Sequence, residues 1–170
     1  MQIRDRVKEL RRVRASELVP NPRNWRTHPD AQRDALRGVL AEVGYADALL
    51  ARELPDGRLE LVDGHLRAET TPDALVPVLV LDVNEEESLK IMLTHDPLTA
   101  LAEADAEKLS DLLGDCEMQN PQVMRMLADL EDSVRQADEA FAEPSDRAEV
   151  AIPEAYQVVV ECEDEAEQEK

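Results

Sequence analysis

With 170 residues, 43% of them hydrophobic but only 2% aromatic, the chain is long enough for one medium domain with appendages around an aliphatic core. Its net charge of −20 is unevenly placed: 13 Lys/Arg stand against 12 Asp/Glu through Thr70, and 6 against 27 from Thr71 onward. The acidic second half excludes itself as a phosphate-backbone binder, so any anion site belongs to the first half. Cys116 and Cys162 lie far apart and in no metal-ligand spacing, which reads as reduced thiols of a cytosolic protein. No apolar run reaches membrane-spanning length, and the N-terminal stretch has no signal-peptide core.

Met1 to Arg14 is basic, with Ile3, Val7 and Leu10 at helical spacing, so a short amphipathic helix is expected, running into a strand around Arg12 to Ala15. Leu18 to Pro29 (LVPNPRNWRTHP) holds three prolines and two asparagines and must be a stiff loop. The loop also carries Trp25, Arg23, Arg26 and His28. Two readings stand side by side: it is the wall of a site, or Trp25 plugs the end of the core while the arginines face water.

Asp30 is expected to cap a helix whose buried face is Leu36, Val39, Leu40 and Val43, with Gly44 ending it. Ala48 to Arg52 reads as a strand. Pro55-Asp56-Gly57 turns the chain back along Arg58 to Val62 as a hairpin.

Leu59 to Glu69 (LELVDGHLRAE) is the most informative stretch. A strand delivers an Asp63-Gly64 turn onto a short helix opening with His65, Leu66 and Arg67, and Thr71-Pro72 stops that helix. Such a corner leaves backbone N–H groups free at one spot, and Arg67 adds a positive charge beside it, which suits a phosphate. For catalysis, Asp63, His65 and Glu69 are the candidates at this corner, with His65 as a base. The alternative is an ordinary corner with Arg67 in solvent.

Val76 to Asp82 is a strand of central character, and Asn84 caps a helix from Glu85 to about Thr94 with Leu89, Met92 and Leu93 inward. His95-Asp96-Pro97 is expected to break it, His95 being either a polar end-cap or a second wall of the site. Asp105 caps the next helix through Leu113. Asn120-Pro121 opens another, burying Val123, Met126, Leu127 and Leu130. That pair superficially suggests a helix-turn-helix, but 9 acidic against 3 basic residues between Glu103 and Arg135 argue for a packing or partner-binding extension. Residues 139–154 read as an Ala/Glu/Pro-rich linker. Residues 155–170 read as a strand plus the start of a helix, either docking on the main sheet or opening a small subdomain.

The ordered series LVPNPRNWR (Leu18 to Arg26), LVDGHLRAE and PVLVLD (Pro77 to Asp82) resembles the ParB N-terminal/sulfiredoxin superfamily over about Arg12 to Leu101. The resemblance implies an α+β fold, a small mixed sheet with helices over residues 1–101, followed by an acidic helical extension over 102–138. It implies a central box that cradles a nucleoside triphosphate, CTP or ATP with Mg²⁺. On that mapping Gly64, His65 and Arg67 take the phosphate side, and Asn21, Arg23 and Arg26 the facing loop; the protein supplies no metal site of its own.

Departures from the family pattern are informative. Partition proteins that act as CTP-dependent DNA clamps usually carry Glu-Arg-Arg after the box glycine, where this chain has His65, Leu66 and Arg67. His95-Asp96-Pro97 stands where the family has an E-N-x-x-R segment. The reducing cysteine of sulfiredoxin would fall at His65, so sulfinic-acid repair has no nucleophile here. The GHLR form looks more like stand-alone ParB-like proteins of phages and mobile elements, often found with DNA-modification methylases. The expectation is a nucleotide-binding module serving DNA transactions. The partners entertained are DNA through the basic half, a basic protein such as a methylase, and a second copy. The competing readings are a phosphoryl-transfer enzyme (hydrolase, kinase or nuclease) and an acidic adaptor.

Overall fold

The computed structural model describes residues 3–141. The readings made for residues 142–170 (most of the linker, and the terminal strand with its helix start) lie outside the described residues. Four strands, β1 (Val7–Arg14), β2 (Leu49–Glu53), β3 (Leu59–Asp63) and β4 (Leu75–Leu81), form one mixed sheet in the order β1-β4-β2-β3. β4 pairs antiparallel with β1 and parallel with β2, and β2 pairs antiparallel with β3. Val76, Val78 and Val80 alternate onto one face, where they meet Leu49, Ala51, Leu59 and Leu61 in the core. Pro77 is tolerated in this inner strand because it faces only β1, across from Arg12; the pairing with β2 begins one residue later, at Val78.

Among the described residues the expected N-terminal helix is absent: the strand expected around Arg12 to Ala15 begins earlier, as β1 from Val7 to Arg14. A ladder along the full length of β4 pairs the backbone groups on the inner side of the segment, which outweighs a weak helical spacing. Val7 and Leu10 accordingly stay exposed on an edge strand. Two of the strand's four cations are paired, Lys8 with Glu53 and Arg11 with Glu9, and Arg6 just before the strand pairs with Glu87, whereas Arg12 and Arg14 are exposed.

α1 (Asp30–Glu42) begins one residue earlier than expected: the N-cap is Pro29, and Asp30 lies in the first turn without a side-chain capping bond. Its acidic charge still suits the positive end of the helix. Ala35 and Gly38 form the buried stripe of α1, and Val43 is exposed past its end. Gly44 closes the helix with φ 84°, its N–H donating to Leu40 O at 3.1 Å.

α2 (His65–Thr70) follows β3 through Gly64. α3 (Glu85–Ala100) opens on the expected cap: Asn84 and Glu87 exchange hydrogen bonds in a capping box. Glu87 is held down at about 2 by Arg6 and by the Asn84 amide, which ties the start of β1 to α3. The helix runs through His95 and Asp96 with Pro97 inside it, so the expected break does not occur. Proline removes a single backbone bond there, and the turns on either side remain intact. Met92 is buried, whereas Leu93 is exposed, contrary to expectation.

α4 (Ala106–Asp115) and α5 (Pro121–Phe141) make the acidic extension. Asp105 caps α4 by accepting from Lys108 N, and Asn120 caps α5 by accepting from Gln122 N. α5 docks on α1 where Gly38 lets Asn120 and Val123 approach; a Cβ at Gly38 would lie 2.5 Å from Asn120 Cγ and 2.7 Å from Val123 Cγ2. Glu42 secures the same junction by accepting from Gln119 N and Asn120 N. Of the expected buried face of α5, Val123 is fully buried and Leu127 half-buried, but Met126 and Leu130 are exposed. No helix among the described residues is long and apolar enough to cross a membrane.

Candidate functional site

The β3–α2 corner requires glycine for two reasons. Gly64 has φ 91°, and a Cβ there would come within 2.6 Å of Leu49 Cγ. α2 has six residues, so its dipole is small, and the charge of the corner comes from side chains.

A cavity of about 460 Å³ opens at this corner. Asp63, Gly64, His65 and Arg67 form one wall, the loop residues Trp25, Arg26 and His28 a second, and Met92, His95 and Asp96 of α3 a third. All three histidines of the chain therefore converge on one space. The unbroken α3 is what brings His95 and Asp96 here, so His95 belongs to the wall and is not a helix end-cap.

Arg67 is held between two carboxylates. Its Nη1 lies 2.7 Å from Asp47 Oδ2 and its Nη2 lies 2.8 Å from Asp63 Oδ2. The Arg67 side chain is only 18% exposed and that of Asp47 78% exposed, so Asp47 is the more easily displaced partner. Burial would raise the Asp47 carboxyl, but the Arg67 guanidinium and the Ala48 amide hold it below its ordinary value. Across the cavity, Arg26 Nε lies 3.0 Å from Asp96 Oδ2, and its guanidinium stands 4.8 Å over the Trp25 ring. The Arg26 Nε contact is an ion pair by distance without hydrogen-bond alignment.

His65 is buried, and its Nε2 accepts from Asn21 N at 3.2 Å. Burial pushes the imidazole below its ordinary value, against the pull of the Asp63, Glu69 and Glu60 carboxylates. A neutral ring that accepts at Nε2 carries its proton on Nδ1, so that atom is the ring's donor. Asn21, also buried, reaches Glu60 Oε2 through Nδ2 at 3.4 Å, and Glu60 is paired with Arg52 at 2.7 Å. This chain of contacts fixes the root of the Pro-rich loop onto β3 and α2.

Of the residues singled out in the sequence, Asp63, Gly64, His65, Arg67 and Arg26 come together in the cavity. Asn21 lies behind it as a support for His65, Arg23 is exposed outside it, and Glu69 points away toward Arg33 at 3.8 Å. Asp47, which has no motif around it, went unremarked in the sequence; its role depends on a contact with a residue 20 positions later. Among the described residues, no three His, Cys, Asp or Glu side chains are grouped to hold a metal ion.

No family model matches the chain, and no curated protein matches it in sequence. Solved structures do. The C-terminally truncated chromosome-partitioning protein ParB from Caulobacter crescentus, complexed with CTP-gamma-S, is similar at 22% identity. The match has a TM-score of 0.55 and covers 79% of this chain and 88% of that one. The truncated ParB from the same organism complexed to the centromeric parS site matches with a TM-score of 0.40 and 20% identity, over 79% of this chain and 73% of that one. The α+β architecture, with its four-stranded mixed sheet and helices, is therefore a ParB-like fold.

Proposed function

We propose that the chain is a nucleotide-binding module of ParB-like type, working in DNA transactions as a binding or regulatory protein. The observation that carries this reading is the meeting of Arg67 and Arg26 across one cavity that His65 also lines. Two guanidiniums lining a cavity of about 460 Å³ suit the phosphates of a nucleoside triphosphate that displaces the Asp47 and Asp96 carboxylates now paired with them. The likeness in fold to a ParB solved with CTP-gamma-S supports the same ligand class and favours CTP among the candidates. A Mg²⁺ ion would arrive on the phosphates, since Mg²⁺ keeps its waters and binds through few protein carboxylates.

The site favours binding over catalysis. The His65 Nε2 lone pair is occupied by Asn21 N, so the imidazole has no free base, and Asp63 is engaged with Arg67. A direct DNA contact through β1 would rest on Arg12 and Arg14, since Lys8, Arg11 and the neighbouring Arg6 are paired with carboxylates. The acidic extension suits a basic protein partner in DNA modification better than it suits DNA.

A thermal-shift panel with CTP, ATP and GTP plus Mg²⁺ tests the reading. A ligand that binds only the folded chain at 100 times its Kd adds about 2.7 kcal/mol. No shift with any triphosphate would sink the proposal. Phosphate release above the buffer rate would move it to the enzyme class.

A further inference from the structure

We propose that Trp25 is the stacking platform for the flat ring of the bound molecule, so that the cavity takes a ligand aromatic at one end and anionic at the other. The inference rests on the nucleotide reading above and assigns the base end of that site. Trp25 is the only tryptophan in the chain and is 56% exposed, although an indole offers more apolar surface than any other side chain. It does not lie on open surface: it lines the same cavity as Gly64, His65 and Arg67.

The loop backbone on both sides of Trp25 is fastened before any ligand arrives. On its N-terminal side Arg23 N donates to Asn21 Oδ1 and Asn24 N to Asn21 O, while Asn21 N itself is fastened to His65. On its C-terminal side Arg26 N donates to Asn24 Oδ1. Pro20, Pro22 and Pro29 stiffen the remainder of the loop. Arg26 stands over one face of the ring at 4.8 Å while its charge is shared with Asp96, so the base takes the opposite face of the exposed indole. A base stacked on that face has the Arg26 cation behind the indole and the Arg67 corner in the same cavity. Stacking on aromatic side chains tolerates any base, because every base has a π-face. Trp25 therefore supplies affinity for the ring without choosing among bases.

Because no other tryptophan contributes, red-edge indole emission reports Trp25 alone. The full chain is titrated with CTP, with ATP and with inorganic tripolyphosphate, following emission and calorimetric heat in parallel. The nucleotides should change Trp25 emission saturably, with the calorimetric midpoint, whereas tripolyphosphate should leave it unchanged. Trp25→Ala should weaken nucleotide binding about tenfold or more. It should leave tripolyphosphate binding within about twofold, and Trp25→Phe should recover most of the loss. Nucleotide binding seen by calorimetry with unchanged emission, or a Trp25→Ala affinity within about twofold of the parent, overturns the platform and leaves the nucleotide site standing. If neither nucleotide nor tripolyphosphate binds, the nucleotide reading falls and the platform with it.

Discussion

Asp47 Oδ2 lies 2.7 Å from Arg67 Nη1, so the guanidinium that would meet a phosphate is already neutralised by an exposed carboxylate of its own chain. An incoming anion must take the place of Asp47. Removing that competitor should strengthen binding. Exposed ion pairs are worth about 0.2–1 kcal/mol, so Asp47→Asn is expected to raise triphosphate affinity by up to about fivefold. Isothermal titration of the two proteins at matched, low salt reads this. Unchanged or weaker binding would mean that Arg67 does not meet the phosphates.

Gly64 should tolerate no side chain. With φ 91° and a Cβ position 2.6 Å from Leu49 Cγ, Gly64→Ala combines left-handed strain with overpacking. A loss of about 2–4 kcal/mol in urea unfolding is expected. The ligand-induced shift should fall as well, because the corner must move to accommodate Leu49. A loss below about 0.5 kcal/mol would show that the corner is not held as described.

Gly38→Ala separates the extension from the domain. The added methyl meets Asn120 and Val123 on α5, while α1 itself gains helix propensity. Amide exchange across α4 and α5 should accelerate while that of β2 and β4 stays unchanged. Uniform acceleration over the whole molecule would mean instead that the extension and the sheet unfold as one unit.

His65 makes stability depend on pH with a definite sign. Its folded value lies below the ordinary 6.5, chiefly through burial, although Asp63, Glu69 and Glu60 oppose this and His28 adds to it. Below about pH 6.5 the unfolded chain takes up a proton that the folded one refuses, so the contribution is complete above that pH and declines as pH falls beneath it. His65→Gln should lower stability at about pH 7.5 by about 1–3 kcal/mol through the loss of the buried bond from Asn21. It should also flatten the slope between about pH 6.5 and the folded value. Equal slopes in parent and variant would assign the pH dependence to other groups.

What was legible in the sequence was local. The alternation of Leu59 and Leu61 into Asp63-Gly64, the Pro55-Asp56-Gly57 turn and the Asn84 cap each encode their geometry within a few residues, and each stands as read. The first part of β1 was misread because Ile3, Val7 and Leu10 share a helical spacing by accident, whereas its end from Arg12 was read as strand; its pairing is decided by β4, more than sixty residues away. Pro97 was misread because a proline inside a helix costs one bond, which a sixteen-residue helix absorbs. In the site, the motif residues Gly64, His65 and Arg67 were visible. The support from Asn21 to His65 and the clasp of Asp47 on Arg67 were not, since both join distant residues without any local pattern.

The most direct measurement compares the thermal shift given by CTP plus Mg²⁺ in the parent chain, in Arg67→Ala and in Arg67→Lys. Each shift is taken against the same protein without ligand, so that the loss of the Asp47 and Asp63 pairs cancels. The parent should gain several degrees at saturating nucleotide, Arg67→Ala should gain none, and Arg67→Lys should recover part of the gain. An equal shift in all three proteins, or none in the parent, contradicts a phosphate site at the Gly64–Arg67 corner.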